Sequence, residues 1–174
     1  MSLLTYTEQL NSLKTAKMAG LKAPHKPILL LSVIDLIERD VIVTNHIALS
    51  EELERQFAYN WVRYIGPSVI FHAKIATPFW HLSNEPFWRL ISFSGETLTK
   101  DNFQGGKYSV VNLRKQVAHA EIDKELFEML QDKEVRAKIR VLMISTYLTK
   151  THIQQDDMLS ILMTIGIAIL PVAS

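Results

Sequence analysis

Ala23-Pro24-His25-Lys26-Pro27-Ile28-Leu29-Leu30-Leu31 is the stretch whose conformation decides how this chain folds. Pro24 and Pro27 fix φ and bias the residues before them away from helix, while Pro27 suits a first helical turn, where a missing N–H costs nothing. From Pro27 onward Ile28, Leu29, Leu30, Leu31, Val33, Ile34, Leu36 and Ile37 are apolar nearly all round. That pattern predicts a helix buried on most of its surface. His25 and Lys26 then stand at its rigid entrance as a cationic tip, where the orphan N–H groups and the helix dipole already favour anions.

On the N-terminal side, Leu10, Leu13 and Ala16 share one face of a predicted amphipathic helix over 5–18, which Gly20 ends. From Lys14 to Lys26 the chain carries Lys14, Lys17, Lys22 and Lys26 and no acidic residue, making this the clearest local positive patch. A solvated lysine face is the plain alternative. On the C-terminal side, Arg39-Asp40 closes the central helix, and 41–43 is an edge strand or a buried loop. Ser50 then offers an N-cap with Glu51 and Glu52 behind it, and Leu53, Phe57 and Trp61 follow at helical spacing up to Gly66-Pro67.

Beyond residue 69 the pattern changes. Phe79, Trp80 and Leu82, then Phe87, Trp88, Leu90 and Ile91, are aromatic-rich runs separated by Ser83-Asn84-Glu85. Together they predict a β-hairpin with Pro78 at a strand start or edge. Gln104-Gly105-Gly106-Lys107 is a turn without a Walker or dinucleotide pattern around it. Ser109 is expected to cap a helix over 109–119 that carries Arg114 and Lys115, Asp123 a second helix, and Asp132 a long third one with Val135, Ile139, Leu142, Met143 and Ile144 turned inward.

At 174 residues and 48% hydrophobic, the chain suits one domain with a substantial core. A net charge of +1 gives no global case for nucleic acid, so a basic surface has to come from uneven placement of charge. No cysteine is present, which excludes a disulfide scaffold and Cys-based zinc sites and fits a reducing compartment. The N-terminus has no signal-peptide pattern, and we expect a cytoplasmic protein. The apolar stretch 158–170 is shorter than the roughly 20 residues a membrane span needs, and we expect a core or homodimer-packing helix there.

The six histidines include no pair at metal-ligand spacing on a helix and no His-Asn-His finger. Neither an Asp…Glu-x-Lys cleavage cluster nor a Gly-x-Ser-x-Gly elbow is legible. Asp132, Glu134 and Lys138 have ordinary helix-surface spacing. Neither a cofactor nor a catalytic residue is therefore expected, and a binding module is the economical assignment.

Ala23-Pro24-His25-Lys26-Pro27-Ile28-Leu29-Leu30-Leu31, followed by Thr77-Pro78-Phe79-Trp80-His81-Leu82 and Pro86-Phe87-Trp88-Arg89-Leu90, resembles the DNA sulfur-binding domain found in McrA-type, phosphorothioate-dependent HNH restriction endonucleases and related stand-alone proteins. The resemblance spans about residues 5 to 150. It implies a module that recognises duplex DNA in which sulfur replaces a non-bridging phosphate oxygen, either standing alone or serving as the sensory half of a restriction system whose nuclease is a separate chain. It also implies a sulfur pocket built from Pro78, His25, Thr77 and His81. DNA contacts are then expected from His25, Lys26, Lys22, Lys17, Lys14, Arg114 and Lys115. The chain departs from the family at Thr77, where an aromatic residue is frequent, and at His81, where some members have a small one.

The expected fold is α+β, a mostly helical single domain with a small β-hairpin or sheet, over 1–150, extended by an apolar helix in 151–174. Two other functions stay open: a metal-dependent endonuclease with an unrecognised site, and a DNA-binding or interaction regulator indifferent to sulfur.

Overall fold

The computed structural model describes residues 2–148 apart from Ala19 and Val69. The expected boundary at residue 150 and the apolar helix over 158–170, with the homodimer inferred from it, lie outside the described residues. Helix α1 spans Leu3–Asn11, a β1–β2 hairpin pairs Lys17–Met18 with Leu21–Lys22, and helix α2 runs His25–Glu38. Strand β3 (His46–Ile47), helix α3 (Glu51–Tyr64) and helix α4 (Ala76–His81) follow. A 3-10 turn over Leu82–Asn84 leads into strand β4 (Trp88–Ser92). Helix α5 (Val110–Gln116), strand β5 (Val117–Ile122), helices α6 (Lys124–Met129) and α7 (Lys133–Met143) and a π turn over Ile144–Leu148 complete the described chain. The architecture is α+β and mostly helical, as expected. Among the described residues no helix is long and apolar enough to cross a membrane.

Helix α2 is the core, buried at Ile28, Leu29, Leu30, Leu31, Val33, Ile34, Leu36 and Ile37. The helix begins two residues earlier than the proline pattern predicts. Its first bond runs from the Ile28 N–H to the Pro24 carbonyl at 3.0 Å, so His25 and Lys26 lie inside the first turn and Pro27 occupies its third position. At the other end a polar network ties α2 to its neighbours. Asn60 Nδ2 donates to Ser32 Oγ at 3.1 Å and to Asp35 Oδ2 at 2.7 Å, and Arg140 pairs with Asp35 at 2.8 Å and Glu38 at 2.6 Å.

The three-stranded sheet is antiparallel in the order β3-β5-β4. Trp88, Leu90, Ala120 and Ile122 point into the core, leaving Arg89, Glu121 and His46 on the outer face.

Five expectations are corrected. The predicted helix over 5–18 stops at Asn11, because Ser12 Oγ donates to the Glu8 carbonyl at 2.8 Å. The next N–H groups are taken by distant partners: Leu13 donates to Tyr147 Oη at 2.9 Å and Lys14 to Glu85 Oε1 at 3.0 Å. Gly20, with φ +79°, belongs to the β1–β2 turn rather than ending a helix. The segment containing Phe79 and Trp80 is helix α4, not the first strand of a hairpin, and Pro78 sits harmlessly in its first turn. A short apolar run fits a buried strand and a buried helix equally well. The helix expected over 109–119 ends at Gln116, and His119 lies on β5, whose backbone is claimed by two neighbouring strands. Asp123 makes no side-chain cap; its carboxylate accepts from Tyr6 Oη at 3.2 Å and pairs with Arg89 at 3.3 Å. Burial, with that carboxylate beside it, pushes the Tyr6 pKa up to about 12.

The caps at Ser50 and Asp132 form as expected. Ser50 Oγ accepts from the Leu53 N–H at 3.2 Å, and Asp132 Oδ1 from Glu134 and Val135 at 2.7 and 3.1 Å.

Candidate nucleic-acid interface

Helices α2 and α4 pack together, bringing the Pro-flanked first turn of one beside Thr77-Pro78-Phe79-Trp80-His81 of the other. His25 is wedged among aromatic rings, its own ring 4.7 Å from Trp61 and 5.9 Å from Phe71, centroid to centroid. Its Nε2 lies 2.8 Å from the His72 carbonyl oxygen. A carbonyl can only accept, so Nε2 carries the proton and Nδ1 keeps its lone pair when the ring is neutral. Burial holds the His25 pKa below its ordinary value; the His72 carbonyl opposes this, and the His72 and Lys74 charges add to it. His25 is therefore an uncharged, aromatic-backed wall at neutral pH.

On α4, Thr77 and His81 are four residues apart and share one face, Thr77 exposed and His81 half-buried, while Pro78 is buried. The His81 ring meets Tyr108 edge-on at 5.3 Å. Below it Trp80 stacks on Tyr108 at 4.6 Å and packs on Phe103 at 4.4 Å, so residues 103–108, with the Gly105-Gly106 turn, cover the outer side of α4. The His81 pKa is lowered, first by burial and then by the ammonium groups of Lys26 and Lys100. Both effects keep the imidazole neutral at neutral pH.

Lys26 does not stand at an exposed tip. Its Nζ meets Glu85 Oε1 at 2.5 Å, and the two side chains are only 7% and 4% exposed. A single helical step turns Lys26 inward onto a carboxylate that no local pattern reveals, 59 residues away. The same carboxylate oxygen takes the Lys14 N–H, so Glu85 anchors the basic hairpin to the first turn of α2.

Of the other predicted contacts, Lys14, Lys17 and Lys22 are exposed. Lys17 and Lys22 stand directly opposite one another across β1–β2. Like charges so placed repel, an arrangement that a bound anion relieves. The Lys22 ammonium also lies over the Tyr147 ring, 5.1 Å from its centroid. Arg114 is not a spare cation: it pairs with Glu54 and donates to the Leu49 carbonyl at 2.8 Å, which ties α5 to the start of α3. Lys115 beside it is exposed.

Sequence reasoning missed Trp61, Phe71 and Tyr108 as partners of the site histidines, along with Lys100 and Glu85. Trp61 was legible only as core, which it also is. Aromatic composition before and after the double glycine was the one available signal for Phe103 and Tyr108.

Among curated proteins none matches the chain. A solved structure, the sulfur-binding domain of ScoMcrA complexed with phosphorothioated DNA, shares the fold, with a TM-score of 0.59 at 20% identity over 82% of this chain and 86% of that one. The family model of the ScoMcrA-like DNA sulfur-binding domain matches residues 4–168. The chain with Pro-flanked His25 and Lys26 packed against the Thr77-Pro78 helix thus belongs to the ScoMcrA-like DNA sulfur-binding domain family.

Proposed function

We propose that this chain is a reader of phosphorothioate-modified duplex DNA that serves a restriction system. Membership of the sulfur-binding domain family is the observation that carries this proposal. A phosphorothioate keeps its negative charge but replaces a strongly hydrated oxygen with a larger, more polarizable atom. Pro78, Thr77, His81 and His25 are assigned to the sulfur. Two neutral imidazoles and a proline ring offer it dispersion contacts, whereas an oxygen there loses hydration without a partner. Lys14, Lys17 and Lys22 are assigned to ordinary phosphates, with Lys115 on the rim. Arg114 is left out because Glu54 already balances it, and Lys26 acts by positioning rather than by contact.

The test is a gel shift with two duplexes identical except for one sulfur. We expect a preference of about ten- to a hundredfold, equivalent to roughly 1 to 3 kcal/mol. Thr77→Asn should erase that preference while leaving weak binding of unmodified DNA in place. Equal affinity of the native chain for the two duplexes refutes sulfur reading.

A further inference from the structure

Strands β3 and β5 pair so that His46 stands opposite Glu121 and Ile47 opposite Ala120. Side chains two residues apart on a strand share a face, so His119 projects beside Glu121 and diagonal to His46. The two imidazoles are stacked, centroids 4.0 Å apart and planes 19° from parallel. His46 Nε2 lies 3.9 Å from Glu121 Oε2. One ligand atom from each of the three residues falls within 4.8 Å of the other two. The other carboxylate oxygen, Oε1, is held by Arg89 Nη2 at 2.8 Å, and Arg89 Nη1 reaches Asp123 at 3.3 Å.

We propose that His46, His119 and Glu121 form a binding site for a transition-metal ion of the zinc or nickel class on the outer face of the three-stranded sheet. Imidazole nitrogen with carboxylate oxygen is the donor set such ions favour over magnesium or calcium. Bonds of about 2.0–2.2 Å to a tetrahedral ion put donor atoms roughly 3.4 Å apart, so the three need to close by up to about 1.4 Å, and one imidazole has to swing out of the stack so that the in-plane lone pairs converge. His46, with its side chain 52% exposed, has the room to make that adjustment. Arg89 orients the carboxylate from behind, as outer partners of metal ligands do, and leaves Oε2 turned toward the imidazoles. Its charge is offset by Glu121 and Asp123 together, so the cluster is not a cationic one. Three protein ligands leave a fourth position for water or an outside donor.

A spacing search along one helix, which finds no histidine pair here, cannot see this set, because the ligands lie 73 and 75 residues from His46 in sequence and meet only through strand pairing. The bound ion would clamp β3, an edge strand of two residues, to the central strand of the sheet. It shares no residue with the proposed DNA surface.

Chelator-treated protein, freed of the chelator and titrated with zinc chloride in a calorimeter at pH 7.5, should bind one ion per chain with a dissociation constant of about micromolar. His46→Ala and His119→Ala should each weaken binding at least tenfold. Zinc should also raise the melting temperature of the native chain, and this rise should vanish in both variants, each compared with its own metal-free form. Cobalt(II) in place of zinc should give the visible absorption of a nitrogen- and oxygen-ligated ion, abolished in the same variants. No stoichiometric binding by the native chain up to about millimolar zinc overturns the proposal. So does binding that survives in the double variant His46→Ala/His119→Ala.

Discussion

The Lys26 ammonium and the Glu85 carboxylate meet in the interior with almost no solvent, which makes each dependent on the other. Removing one charge strands its partner, a loss of about 3–5 kcal/mol, whereas replacing both by apolar groups of similar volume is close to neutral. Lys26→Ala should therefore lower the urea unfolding free energy by about that amount, and Lys26→Met/Glu85→Leu should recover only part of it, because the Lys14 N–H then loses its acceptor. If the recovered double variant binds DNA with the native salt dependence, Lys26 is a support rather than a phosphate contact. His81 gives a pH signature. Its folded pKa lies below the ordinary histidine value, so the unfolded chain binds the proton more readily. Stability from this group is fully present above about pH 6.5 and is lost as pH falls from there through the folded value. His25 and His119 act in the same direction. A phosphate bound beside His81 favours the protonated ring, so affinity for DNA should rise about three- to tenfold from pH 7.5 to 5.5. Filter binding with His81→Gln should show most of that rise gone; an unchanged rise would remove His81 from the interface.

At the level of elements, the β1–β2 hairpin is the part most open to manipulation. Two residues on each strand hold it, and its turn includes Gly20 at φ +79°, a conformation that costs other residues about 1–2 kcal/mol. A Cβ at Gly20 meets nothing within 4 Å, so the penalty of Gly20→Ala is backbone strain rather than a clash. We expect a modest fall in stability and a several-fold loss of DNA affinity, equal for sulfur-modified and unmodified duplexes because phosphate contacts carry no information about a neighbouring atom. Affinity measured on both duplexes checks this. A selective loss on the sulfur duplex would move the hairpin into the sulfur pocket.

For the whole molecule, a net charge of +1 conceals a strong local asymmetry, since the chain from Lys14 to Lys26 carries four lysines and no acid. Three of these are exposed, and folding withdraws the fourth into its pair with Glu85. Removing a single lysine–phosphate ion pair lowers the slope of log affinity against log salt by about 0.9. Lys17→Ala/Lys22→Ala should thus reduce the slope by about 2, measured by titration between low and moderate salt. Arg114→Ala should leave the slope within about 0.5 of native while it destabilises the α5–α3 junction. A reversed ranking would put the DNA surface on α5.

The sequence alone determined those parts whose causes lie within a few residues. Pro24 and Pro27 ahead of an all-apolar run specify the buried helix α2, and Ser50 with Glu51 and Glu52 specifies the start of α3. The motif order of 23–31, 77–82 and 86–90 was enough to point to the family. Tertiary structure decided what depends on partners far along the chain. Residues 76–81 have no helix or strand preference strong enough to choose; packing between α2 and the 103–108 loop makes them helix, which turns Thr77 and His81 to one side. Residues 117–122 become a strand because β3 and β4 supply hydrogen-bond partners on both edges, and this carries His119 to His46. Lys26 reads as a solvated cation until Glu85 arrives from the end of the 3-10 turn to meet it. Local propensity differs by less than about 1 kcal/mol between such alternatives, whereas burying a side chain or satisfying a buried charge is worth several times that, so the distant partner wins.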